Sequence, residues 1–181
     1  MQTEGARLAK LIQKKMGKFK DVCRGIDEDM ASCAPEGSWT PKQIVSHLCG
    51  PEGEGYITSI RAFLEQDTPR LDIEANNLFY TDKRARMTMA QMLDELDGEY
   101  GRIADLTARL TDDQLARKAD IPLMKNTPMG EYPTLAMWIQ ALVKDHVDFH
   151  KSICGTSSDG DNHVTFVFGR NSRGRNKVLR P

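Results

Sequence analysis

The chain has no apolar run approaching the ~20 residues needed to cross a bilayer, which reads against a membrane-spanning protein. Met1 to Lys20 is charged throughout and lacks the apolar stretch of a secretory signal. Both absences point to a cytoplasmic location. An excess of charge of one sign is also missing. The 25 Lys and Arg residues are met by 26 Asp and Glu, leaving a formal charge of −1. So balanced a chain is not, as a whole, an electrostatic binder of nucleic acid. Cysteine is sparse: Cys23, Cys33, Cys49 and Cys154. None forms a C-x-x-C pair, which argues against a zinc knuckle or a thioredoxin-like motif. Scattered cysteines in a reducing compartment behave as small buried hydrophobes. Cys49 draws interest only because it follows His47 by two residues.

What is present describes one soluble domain. The 181 residues are 39% apolar and 28% charged, enough to bury a sizeable core. Apolar residues recur at spacings of three and four, the period of an amphipathic helix. From Thr3 to Cys33, the residues Ile12, Met16, Phe19, Cys23, Ile26, Met30 and Cys33 predict one helical stripe. Thr40 before Pro41 marks a second helix start, and Ile44, His47 and Leu48 share its inner face. Pro51, with Gly50, Gly53 and Gly55, disturbs the pattern before Tyr56, Ile57, Ile60, Phe63 and Leu64 resume it, which predicts one kinked helix ending near Glu65.

Residues 66 to 87 form a long polar connection, a kind that is uncommon unless it covers a site. Thr88 caps a third helix with the stripe Met89, Met92, Leu93, Leu96, Tyr100, Ile103 and Leu106. Thr111 caps a short turn, and Ile121 to Pro133 is irregular. Thr134 caps the last helix. Its Leu135, Ile139, Leu142, His146, Phe149 and Ile153 step by four and three, a heptad seam of the kind that lines a bundle core. Gly155 ends it. We therefore place a helical domain at residues 1–155 and a basic tail at 156–181. The tail carries a short β-like run, 163–168, then Arg170, Arg173, Arg175, Lys177 and Arg180.

Histidine carries the chemistry. His146 occupies a seam position where an apolar residue is expected, and burying an unpaired ring is unfavourable by about 2–7 kcal/mol. His150 lies four residues on, so both rings leave one helix face with Cβ atoms ~5–6 Å apart. His47 lies on the inner face of a second helix. Three neutral imidazoles suit zinc, nickel or iron, and three protein ligands leave positions open for water or substrate. The alternative is that each ring is a core residue bonded to a carbonyl. His163, in the tail, has no such partner.

The candidate catalytic residues beside this set are Glu52 and Asp145. In an unbroken helix Glu52 would point ~140° from His47, at ~100° per residue, and a kink at Pro51 brings it nearer as a proton acceptor. Asp145, like Asp148, flanks His146 and can orient a ligand histidine through its second nitrogen. Exposed, solvated carboxylates are the competing reading for all of them.

The stretch from Trp39 through Thr40, Pro41 and Ile44 to His47 and Leu48 resembles the second-helix signature of the DinB/YfiT-like superfamily. Pro133 and Thr134 through Trp138 to His146 and His150 resemble its last helix, and Leu110 to Leu115 resembles its short connecting element. The resemblance covers about residues 3 to 154. It implies an all-α, antiparallel four-helix bundle with one long crossover and an irregular C-terminal extension. It implies a divalent metal on His47, His146 and His150, and a metal-dependent transferase or hydrolase acting on a small molecule. In some relatives a low-molecular-weight thiol is the co-substrate, and relatives are often homodimers. The metal would lower the pKa of a bound thiol or water. Two other functions stand beside this one: a non-catalytic metal-binding or dimerising bundle, and nucleic-acid binding through the basic tail. Five tail charges without interleaved aromatics make the last the weakest.

Overall fold

A computed structural model describes residues 2–34, 38–74 and 76–146; of residues 144–146 it describes the backbone only. Among these residues the chain is helical, with isolated bridges and no β-strand. Four helical columns pack as a bundle. They are α1 (Glu4–Cys23), the pair α3 (Pro41–Cys49) and α4 (Ile57–Glu65), α6 (Met89–Thr107), and α8 (Leu135–Gln140) with the π-helical stretch Ala141–His146 that continues it. Three short helices, α2 (Glu28–Ser32), α5 (Asp82–Ala85) and α7 (Asp112–Leu115), lie in the connections. No described helix is long and apolar enough to cross a membrane.

The threonine caps organise the helix starts. The side chains of Thr40, Thr88, Thr111 and Thr134 each accept from the backbone three residues on. In the first three the residue at that position, Gln43, Gln91 or Gln114, returns a side-chain bond to the cap's own N–H. Each pair satisfies two backbone donors that a helix end otherwise leaves open.

Two predicted helices are shorter than their apolar stripes. The first stops at Cys23, not Cys33. Gly25 allows a turn, and Asp27 accepts from the Met30 amide at 2.8 Å to begin α2. Met30 and Cys33 consequently face solvent, whereas Leu8, Ile12, Met16, Phe19 and Cys23 are buried. The second is interrupted outright. Gly50, Gly53 and Gly55 all adopt positive φ between Cys49 and Ile57, so α3 and α4 are separate helices joined by a tight turn. Glycine reaches that conformation without a Cβ clash.

The core is a single cluster drawn from all four columns. Met92, Leu96, Tyr100 and Ile103 of α6 pack between α1 and α3, and Leu135, Trp138, Ile139, Leu142 and Val143 close the fourth side. Trp138 is core, with its indole N–H donating to Ser59 Oγ at 3.0 Å. The upper seam of the last helix is therefore buried as expected; the side chains of His146, Phe149 and Ile153 lie outside the described residues, as does the tail.

The long crossover is stitched down by main-chain bonds. Leu71 N–H donates to Asp120 O and Asp120 N–H to Pro69 O, both at 2.8 Å. In the later connection, between α6 and α8, Ile121 N–H donates to Glu131 O, and Leu135 N–H to Arg117 O. Arg117 adds side-chain bonds to the carbonyls of Phe63 and Gln66. Ile121 to Pro133 is irregular, as predicted, apart from a 3-10 turn at Pro122–Met124.

Candidate metal centre

His47 lies in the last turn of α3, and only 4% of it is exposed. It is buried because α3 presents Ile44, Val45, Leu48 and His47 to a helix on either side and to the crossover above. Its Nδ1 is 2.7 Å from the main-chain carbonyl oxygen of Asn77. A carbonyl can only accept, so Nδ1 carries the hydrogen. Burial lowers the ring's pKa from its ordinary value, against the opposing pull of the Asn77 bond, which favours the neutral imidazole. In a neutral ring with Nδ1 protonated, Nε2 holds the lone pair. That tautomer suits a histidine that ligates a metal through Nε2, with its second nitrogen held by an outer partner.

The ring is boxed by aromatics. Trp39 meets it edge-on with centroids 4.9 Å apart, and Phe79 lies nearly parallel at 6.5 Å and 11°. Tyr56 donates its hydroxyl to His47 O at 2.9 Å, and Gly50 N–H donates to the same carbonyl. The crossover thus covers the site. Asn77 and Phe79, both in the connection 66–87, make two of these contacts.

Arg84 anchors the cover. Its side chain is fully buried. Nη1 donates to Gly50 O at 2.6 Å, Phe79 O at 3.0 Å, and Ser46 O and Oγ at 3.2 and 3.3 Å. Nε and Nη2 donate to Glu95 Oε1 on α6, at 3.2 and 2.7 Å. Sequence reasoning missed Ser46, Asn77, Phe79 and Arg84. The one signal for them was the improbable length of the connection that holds three of the four.

The other sequence-predicted residues fall as follows. Glu52 sits on the exposed turn between α3 and α4 and accepts a hydrogen bond from the Thr81 hydroxyl, just ahead of α5. Asp145 and His146 are in the π-helical stretch, with side chains outside the described residues; Asp148 and His150 lie wholly outside them. Among the described residues no three His, Cys, Asp or Glu side chains gather as a metal site. π-Helical turns occur mostly as local bulges in helices, often at functional sites, and this one includes His146.

Cys49 is a core residue. Burial pushes its thiol up to about 12, with the nearby positive charge of Arg84 opposing the shift, so it is not a thiolate near neutral pH. Brief alkylation of the native protein followed by peptide mass mapping is expected to label exposed Cys33 and to spare buried Cys23 and Cys49. Labelling of Cys49 at a rate like that of Cys33 would mean that the cover over α3 opens readily.

No protein-family profile matches the chain, and no curated protein matches it. Among solved structures it is similar to YfiT from Bacillus subtilis, described as a probable metal-dependent hydrolase with an unusual four-helix bundle topology. The TM-score is 0.66 at 21% sequence identity, over 83% of this chain and 85% of that one. The all-α bundle expected from the sequence is thus matched in three dimensions: the chain has the fold of YfiT.

Proposed function

We propose that the protein is a metal-dependent hydrolase of the DinB/YfiT-like kind, acting on a small molecule, with His47, His146 and His150 holding one divalent ion. The observation that carries this reading is His47 itself: a buried imidazole, pKa lowered, with Nδ1–H fixed on Asn77 O. That donor chemistry fits a zinc, nickel or iron ligand. The likeness to YfiT supports it, because that protein is described as a probable metal-dependent hydrolase. The spacing in the sequence supports it too: His146 takes a position of the heptad seam and His150 follows it by four residues.

When bound, such an ion supplies a Lewis-acid centre that brings the pKa of a ligated water or thiol towards neutrality. The chain's own residues do the rest. Asn77 O fixes the His47 ring. Trp39 and Phe79 flank it with apolar faces, which lowers the local dielectric and strengthens interactions within the site. Asp145 is our candidate for orienting His146 through its second nitrogen. Glu52, exposed and engaged with Thr81, is given no step. Transfer to a low-molecular-weight thiol is a variant of the same chemistry, with the thiol in place of water.

The test is elemental analysis of the purified protein beside a His146→Ala, His150→Ala double variant. We expect close to one equivalent of divalent metal in the first and a trace in the second. Equal metal content in both, with helix content retained, would sink the reading. Ester and amide hydrolysis, assayed with and without a thiol acceptor, then separates hydrolase from transferase.

A further inference from the structure

We propose that Arg84 is a positioning residue for His47, acting through Ser46 and Phe79. The claim concerns the orientation of the ring, and it rests on the metal reading only for its consequence.

Phe79 has φ +47°, one of two non-glycine residues with positive φ among those described. The left-handed region is unfavourable for a residue with a side chain. It persists only where the surroundings determine it. Here they do. The Phe79 carbonyl accepts from Ser46 Oγ at 2.9 Å and from Arg84 Nη1 at 3.0 Å. The Phe79 N–H donates to Asn77 Oδ1 at 2.9 Å. Residues 77 to 79 are thereby pinned with the Asn77 carbonyl on His47 Nδ1 and the Phe79 ring alongside the imidazole.

Arg84 ties the three walls together. From one nitrogen it reaches the residue before His47, the residue that ends its helix, and the residue beside its ring. Glu95 holds the other side of the guanidinium. A lysine ammonium cannot span this set, because it lacks the planar fork of donors. Without the guanidinium, Phe79 O loses a donor and the left-handed turn is less determined. The Asn77 carbonyl then no longer fixes which ring nitrogen carries the hydrogen.

The experiment uses metal-free, full-length protein. Long-range proton–nitrogen NMR reports which imidazole nitrogen is protonated. His47 should give a single Nδ1-protonated signature in the wild type. Arg84→Lys should give mixed tautomers. Ser46→Ala, a milder change, should move the same way, with helical circular dichroism retained. Cobalt or zinc affinity of the folded variants is then expected to weaken by about 10–100-fold, the range for partners that orient a ligand. The wild-type signature retained in folded Arg84→Lys overturns the proposal and its loss there supports it; Ser46→Ala decides, on the same terms, only where Arg84→Lys does not fold. A wild type with the expected His47 signature but no bound metal defeats the metal reading and leaves the positioning role standing.

Discussion

Replacing Arg84 by methionine is expected to cost about 3–5 kcal/mol of folding stability, the range for removing one partner of a buried ion pair. Methionine keeps most of the volume but none of the donors. Glu95 then retains a largely buried carboxylate without its counter-charge, and its side chain is only 18% exposed. The carbonyls of Ser46, Gly50 and Phe79 lose a donor at the same time, and each unsatisfied buried group adds its own desolvation cost of about 1–3 kcal/mol. Against a total stability of about 5–15 kcal/mol this is a large fraction. Urea denaturation followed by circular dichroism measures it as a lower midpoint at similar slope. Glu95→Gln is the control. It keeps an acceptor oxygen at the guanidinium while removing the charge, and should cost less. A loss below about 1 kcal/mol for Arg84→Met would mean that the carbonyls find other donors.

The second large effect is expected at Gly55. Its φ is +53°, and a Cβ added there would stand 2.5 Å from Glu99 Oε2 and 2.8 Å from Cys49 O. Alanine meets two costs: about 1–2 kcal/mol for the left-handed conformation, and about 1–3 kcal/mol for overpacking a site that cannot yield. The Cys49 carbonyl is main chain at the end of α3, so relief must come from the turn. We expect Gly55→Ala to lose about 2–5 kcal/mol by the sum of these effects. The displaced turn carries Tyr56, whose hydroxyl bonds His47 O. The variant should therefore also perturb the His47 imidazole signals, which a remote core variant such as Ile12→Val should not. A thermal midpoint equal to that of the wild type would show that the turn relaxes freely.

These two positions mark how far the sequence could be read. Local chemistry was legible. Thr40, Thr88, Thr111 and Thr134 announce helix starts because capping is settled within three residues. His47 was legible as an inward-facing polar residue, since the spacing from Ile44 and to Leu48 fixes its face. Periodicity misled where the chain reverses. The stripe through Ile26, Met30 and Cys33 keeps helical spacing past Gly25, although Asp27 opens a new helix there. The support around His47 was not legible at all. Its partner at Asn77 is a main-chain carbonyl, and no side-chain pattern advertises one. Arg84 sits among Lys83, Ala85 and Arg86, which reads as solvated charge. Only the fold reveals that four oxygens of α3 and the crossover converge on its Nη1.

Beside the side-chain anchor at Arg84, the crossover is held at its start by backbone bonds between residues 69–71 and Asp120. A hold of that kind is indifferent to residue identity, provided proline stays away from the donating positions. It has a consequence for how such a protein can diversify. A cavity of about 440 Å³ opens beside the cover, with Arg70, Leu71, Asp72, Ile73 and Glu74 along one wall and Tyr56 and Phe79 along another. Substitutions at the exposed positions of the first wall, Asp72 and Glu74, alter the cavity's charge and shape and leave the main-chain bonds in place. On the second wall, Phe79 lies alongside the His47 ring and Tyr56 holds the His47 carbonyl, so substitutions there bear on the metal-ligand candidate. The molecule thus separates a wall that drift and selection can rewrite from a wall tied to His47.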